Sequence, residues 1–193
     1  MEATLGFSWP VATSMQAVLP DGSIRSLFRE LNLERSDDIV IASMQTELVS
    51  ACLTPLLKSM MVSCMLNKRK YINERDIEYA RRVSTLPCSK RKSLEKGYLL
   101  ETRLFGKVCS AHIDTILDVM QKQNMEAPSV SFSAEMLVHI QDLVEAHIRG
   151  CCEFFAAQSG QRAYSYRLFD NHLAQLMGEP LEGRDDITFS SPS

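Results

Sequence analysis

Residues 46–66 read Thr-Glu-Leu-Val-Ser-Ala-Cys-Leu-Thr-Pro-Leu-Leu-Lys-Ser-Met-Met-Val-Ser-Cys-Met-Leu, and this stretch decides the fold. Its apolar residues come in doublets four apart: Leu48/Val49, Cys52/Leu53, Leu56/Leu57, Met60/Met61 and Cys64/Met65. Apolar positions recurring every three or four residues belong to a helix. A step of four overshoots one turn by about 40°, so the stripe winds around the helix by roughly 160° over this stretch. A helix striped in that way is covered on more than one side, as a central helix is. The pattern reaches back to Ile39, behind Ser36-Asp37-Asp38, which offers an N-cap and acids for a first turn. Pro55 lies inside, where it removes a backbone hydrogen bond and is expected to kink the helix.

Working outward, Asn67-Lys68-Arg69-Lys70 ends this helix and Tyr71-Ile72 is a short β-prone piece. Asn73 with Asp76 three residues on has the form of a capping box for a short helix, Asn73 to Val83, which Ser84 to Pro87 stops. Upstream, Ile24, Leu27, Phe28 and Leu31 mark a helix over 23–31, behind an arm (1–22) that holds no Lys or Arg and is broken by Pro10, Pro20 and Gly22.

The second half repeats the plan. Leu104, Val108, Ile113, Ile116, Leu117 and Met120 predict a helix over 104–120. Ser133 caps a long helix with apolar positions from Met136 to Phe155, ended by Gln158 to Gly160. Arg162 to Ser165 is again extended, and 166–177 is a short helix closed by Gly178. The tail from 179 to 193 is polar. Short, long, short helices thus occur twice: an all-α chain whose two long helices each carry an apolar face that neither can cover alone.

Charge is unevenly spread. Residues 1–97 hold 14 Lys/Arg against 11 Asp/Glu, and 98–193 hold 7 against 13. Within 68–96 there are 10 cations and 4 acids, a basic band that points to a local anionic partner. The six cysteines (Cys52, Cys64, Cys88, Cys109, Cys151, Cys152) form no CxxC pair and read as free thiols of a reducing compartment. No uninterrupted apolar run approaches the ~18 residues of a membrane span, and no signal peptide is expected. His147 and Cys151, one turn apart beside Cys152, could ligate zinc, but no second pair has matching spacing, so buried helix residues are the simpler reading. With no phosphate-cradling loop, nucleophile elbow or dinucleotide fingerprint, no enzyme, cofactor or metal is expected.

The local motifs carry a resemblance. Lys68-Arg69-Lys70-Tyr71-Ile72-Asn73-Glu74-Arg75-Asp76-Ile77-Glu78-Tyr79-Ala80 resembles the second loop and third helix of core histone H-four. Ser23-Ile24-Arg25-Ser26-Leu27 with Arg35 resembles that histone's first helix and first loop. Phe132 to Glu153 is similar to the long helix of histone H-three, matching at Phe132, Gln141, Glu145, Ala146, Gly150 and Glu153. Leu99-Leu100 and Arg103-Leu104-Phe105 with Lys107 look like the approach to that histone's first helix, and Asp170, Leu173 and Ala174 fit its third. A second pairing, H-two-B-like then H-two-A-like, fits Asn67-Lys68-Arg69, Arg75-Asp76-Ile77 and Leu86-Pro87 but fits the second long helix less well.

An H-four-like half followed by an H-three-like half is similar to the histone doublets of giant DNA viruses. That resemblance implies two histone folds in tandem, forming an intramolecular handshake pair. The divisions are arm 1–22, first fold 23–83, basic linker and approach segment 84–103, second fold 104–178 and tail 179–193. It implies a structural protein that wraps double-stranded DNA in a nucleosome-like particle, in a virion and a host nucleus or viral factory. Candidate DNA contacts are Arg25, Arg29, Arg35, Lys68, Arg69, Lys70, Arg103, Lys107 and Arg162. Asp170 and His172 are candidates for self-association with a second copy, and a complementary histone doublet or pair is the further partner. The alternative is a histone-fold scaffold with weak DNA affinity, which the acidic second half and missing basic tails favour. Lys90-Arg91-Lys92 is open to three readings: a DNA contact, a nuclear-import signal or a solvated hinge.

Overall fold

The computed structural model describes residues 38–90, 102–124, 129–159 and 166–178, with side chains over 46–90, 105–124, 129–158 and 168–178. The arm, the helix expected over 23–31, the cap at Ser36-Asp37, the extended piece 162–165 and the tail lie outside the described residues. Among those described, the chain is all-α: α1 (Asp38–Leu66), α2 (Glu74–Val83), α3 (Thr102–Lys122), α4 (Ala134–Ser159) and α5 (Tyr166–Met177).

The winding stripe of α1 is buried along its whole length. Nine of its ten doublet residues, Leu48 to Cys64, are at most 1% exposed, and Met65 packs half-buried at the edge. The cover comes from α2, α3, α4 and α5, all of which α1 touches. By composition alone residues 46–66 would also suit a membrane span; here their apolar surface is taken up by helices on several sides. The helix runs through Pro55 unbroken. Proline has no N–H, so the Ala51 carbonyl lacks its usual donor one turn on.

The end of α1 is set by backbone chemistry. Lys68 takes a left-handed conformation (φ 54°). Its N–H donates to the Met65 carbonyl at 2.9 Å and that of Arg69 to the Cys64 carbonyl at 3.0 Å. This is the Schellman closure, in a position where glycine is the usual occupant.

The two halves share one core. Phe105, Phe155 and Phe169 are fully buried in the same cluster as the α1 stripe. The two long helices meet where Cys52 Sγ lies 3.9 Å from Cys151 Sγ. The loops meet as well. The Ile72 N–H donates to the Ser131 carbonyl, and the Ser131 N–H to the Lys70 carbonyl, each at 2.9 Å. Tyr71 and Ser131 thereby form an isolated parallel bridge. The β-prone pair after α1 has its partner in the segment that precedes α4.

Residues 84–90 depart from the expected linker. They lie as a strap along α4, with Leu86 and Ser89 buried. The Ser89 N–H donates to the Ala146 carbonyl at 3.0 Å, and its hydroxyl to Glu153 Oε1 at 3.0 Å. His147 Nδ1 donates to the Leu143 carbonyl (2.8 Å), which leaves Nε2 to accept from the Ser84 hydroxyl (3.0 Å). Burial holds the His147 imidazole below its ordinary pKa, which keeps it neutral for this role. A polar, proline-containing stretch has the composition of an open loop, so only its contacts with α4 reveal the strap. The following helix also starts earlier than its apolar pattern, at Thr102.

Candidate nucleic-acid interface

The loop after α1 is built around one buried carboxylate. Asp76 is fully buried. It receives Arg69 through two bonds, Nη2 to Oδ1 at 2.6 Å and Nη1 to Oδ2 at 2.7 Å. It also accepts from the Ser63 hydroxyl at 2.7 Å and from the Asn73 N–H at 2.9 Å. Asn73 Oδ1 in turn accepts from the Arg75 N–H at 3.0 Å, and the capping box between Asn73 and Asp76 read from the sequence is present. Burial alone would raise the Asp76 pKa. The bonds from Arg69, the Asn73 amide and Ser63 outweigh it and hold the carboxyl below the usual range. Arg69 Nη1 reaches the Tyr71 carbonyl too, at 3.4 Å. One acid therefore ties the end of α1, the loop and the first turn of α2.

Ile72 turns into the core, and the cations that remain on this loop face outward. Lys68 and Lys70 are exposed and form no ion pair among the described residues. Tyr71 is 68% exposed, and Ser131 across the bridge is exposed too. Two helix N-termini flank the bridged loops: α2, capped by Asn73, and α4, where Ser133 Oγ accepts from the Met136 N–H at 3.2 Å. N-terminal turns present free amides and a partial positive charge to an anion. Glu74 and Glu135 sit in those same first turns and offset part of that field. The net attraction for an anion therefore rests on the two lysines, held on a loop whose backbone is fixed, together with exposed Arg75 in the first turn of α2.

Most of the other predicted contacts lie beyond what the structure describes. Arg25, Arg29, Arg35 and Arg162 lie outside the described residues, as do Arg91 and Lys92. Arg103 falls in the first turn of α3, its side chain outside the described set, and Lys107 is exposed on the same helix. Arg69 changes standing. Sequence reading places it beside Lys68 and Lys70 as an equal, but its guanidinium is committed to Asp76, with 27% of the side chain exposed. The capping box made Asp76 visible in the sequence; the Arg69–Asp76 bond across seven residues has no spacing rule to announce it.

Asp170 and His172 lie half-buried on α5. The His172 ring stacks on Phe155 (centroids 6.0 Å apart, planes 17° apart) and meets Phe154 edge-on at 6.4 Å. Burial lowers its pKa. Of the pair weighed for zinc, His147 serves the strap and Cys151 faces Cys52. Among the described residues no group of three or more His, Cys, Asp or Glu side chains could hold a metal. All six cysteines are free thiols.

Left-handed Lys68 yields a prediction with two readouts. Lys68→Gly should raise stability to urea by roughly 0.5–1 kcal/mol, because glycine adopts that conformation without strain. It should also remove one cation from any anion bound there. A variant no more stable than the parent would show that the closure is not strained. The chain matches no protein-family model and no curated protein sequence.

Proposed function

We propose that this chain is two histone folds in tandem, clasped head to tail, that package double-stranded DNA in a nucleosome-like particle. The observation that carries this reading is the parallel Tyr71–Ser131 bridge. It joins the loop after the first long helix to the loop before the second, which is the pairing expected of histone partners. The reciprocal pairing, of the loop near Arg35 with the segment from Arg162, falls outside the described residues. The order of helices, the shared core and the contact of the two long helices at Cys52 and Cys151 support the same reading.

Binding works through charge and shape. Lys68 and Lys70 contact phosphates beside the capped ends of α2 and α4, and such contacts carry no base sequence. The end of α4 with α5, including Asp170 and His172, meets a second copy. A complementary histone pair completes the particle, in a virion, host nucleus or viral factory.

A second reading, a histone-fold protein scaffold with weak DNA affinity, is favoured by particular acids. Glu74 and Glu135 stand at the two N-termini, and Arg69 is withdrawn into an ion pair. Two experiments separate the readings. Reconstitution with DNA and a complementary histone pair should leave a nuclease-protected fragment; none at any salt concentration means that the chain does not wrap DNA. Lys68→Ala/Lys70→Ala should flatten the slope of log affinity against log salt by about 1.8, the release of roughly one counterion per phosphate contact. An unchanged slope removes this loop from the interface.

A further inference from the structure

The proposed interface contains an aromatic ring whose place phosphate binding does not explain. Side chains alternate across the bridged segments: Val130 and Ile72 are buried, and Ser131 and Tyr71 face out. Paired residues of a β-bridge stand on the same face, so Tyr71 has only a small serine beside it and remains 68% exposed. Its backbone is fixed on both sides, by the bonds of Lys70 and Ile72 to Ser131 and by Arg69 at its own carbonyl. The ring is therefore a large apolar surface on a fixed backbone, on the same loop as exposed Lys68 and Lys70 and left to water.

A simple anion or an acidic peptide would use the lysines and leave this ring idle. A ligand suited to both has apolar walls between rows of negative charge, and the minor groove of duplex DNA has that form. Its floor and deoxyribose walls lie between two phosphate strands, and proteins commonly set apolar side chains there. Resting on the DNA-packaging reading, we propose that Tyr71 enters the minor groove and packs against the sugar walls, adding affinity that salt does not screen. Lys68 and Lys70 on the same loop take the bordering phosphates. Contact with sugars rather than base edges keeps the binding indifferent to sequence.

The test titrates the full chain against a labelled duplex of roughly 30 base pairs, and against one of its strands, across a range of salt concentrations. Tyr71→Ala should weaken duplex binding roughly tenfold at every salt concentration without changing the slope, as loss of an uncharged aromatic contact does. Tyr71→Phe should bind like the parent. Tyr71→Thr, which keeps the extended backbone, should match Tyr71→Ala, with all three variants melting as the parent does. Duplex binding by Tyr71→Ala within twofold of the parent overturns the inference. So does a larger loss on the single strand than on the duplex, which would mean stacking on unpaired bases. Failure of the DNA reading itself looks different: Lys68→Ala/Lys70→Ala then leaves the salt slope untouched, or the parent does not bind the duplex.

Discussion

Gly150→Ala should cost about 2–3 kcal/mol of folding stability, although alanine is the better helix former by about 1 kcal/mol. The reason is the strap. A β-carbon on Gly150 would lie 2.3 Å from the Pro87 carbonyl oxygen, 2.6 Å from its carbonyl carbon and 2.8 Å from the Cys88 nitrogen. These are backbone atoms, fixed in turn by the hydrogen bonds of Ser84 and Ser89 to α4. The chain must lift away as a unit, and buried Leu86 goes with it. Gly106→Ala is the internal control. There the added carbon would meet only Leu137 Cδ2, the end of a side chain, at 3.0 Å. That variant should be neutral or slightly more stable, because the neighbour can turn aside. Urea unfolding of both variants measures the difference, and faster proteolysis within 84–90 would locate the damage. A Gly150→Ala protein within about 0.5 kcal/mol of the parent would mean that the strap is not held against α4 in solution.

Asp76→Ala should have the larger effect, about 3 kcal/mol at neutral pH, because removing the fully buried acid leaves a part-buried guanidinium and two further donors without their acceptor. Arg69, the Ser63 hydroxyl and the Asn73 N–H all lose an acceptor together. The loss should depend on pH in a definite direction. The folded-state pKa of Asp76 is depressed, whereas an unfolded aspartate titrates near about 3.9. Its stabilisation is therefore complete above that value and disappears as pH falls through the lower folded pKa. The parent should lose stability steeply below about pH 4, and the variant less so, which narrows the gap between them. Urea midpoints at neutral and acid pH test this. A gap of constant size would show that the carboxylate is not the species holding the loop. Because this loop carries Lys68, Lys70 and Tyr71, the proposed DNA contacts, Asp76→Ala should under that proposal weaken DNA binding without altering any of the three.

Local patterns made much of this legible in advance. The doublets of α1, the Asn73–Asp76 capping box and the left-handed Gly178 (φ 67°) all operate within one or two turns of chain. The cationic run 68–70 was visible for the same reason, but its members divide: Lys68 and Lys70 face outward, and Arg69 turns in to Asp76. Tyr71 was visible only as β-prone, since exposure depends on what lies opposite, and Ser131 is 60 positions away.

The sequence by itself determined the five described helices, most of their ends and the existence of two apolar faces too wide to stand alone, because periodicity and caps act over a few residues. Tertiary structure alone decided which loop lies beside which, that Arg69 is an internal brace rather than an open contact, and that 84–90 packs on α4 at a glycine. Those outcomes depend on groups far apart in the chain arriving within hydrogen-bond or van der Waals distance, and no local spacing encodes such a meeting.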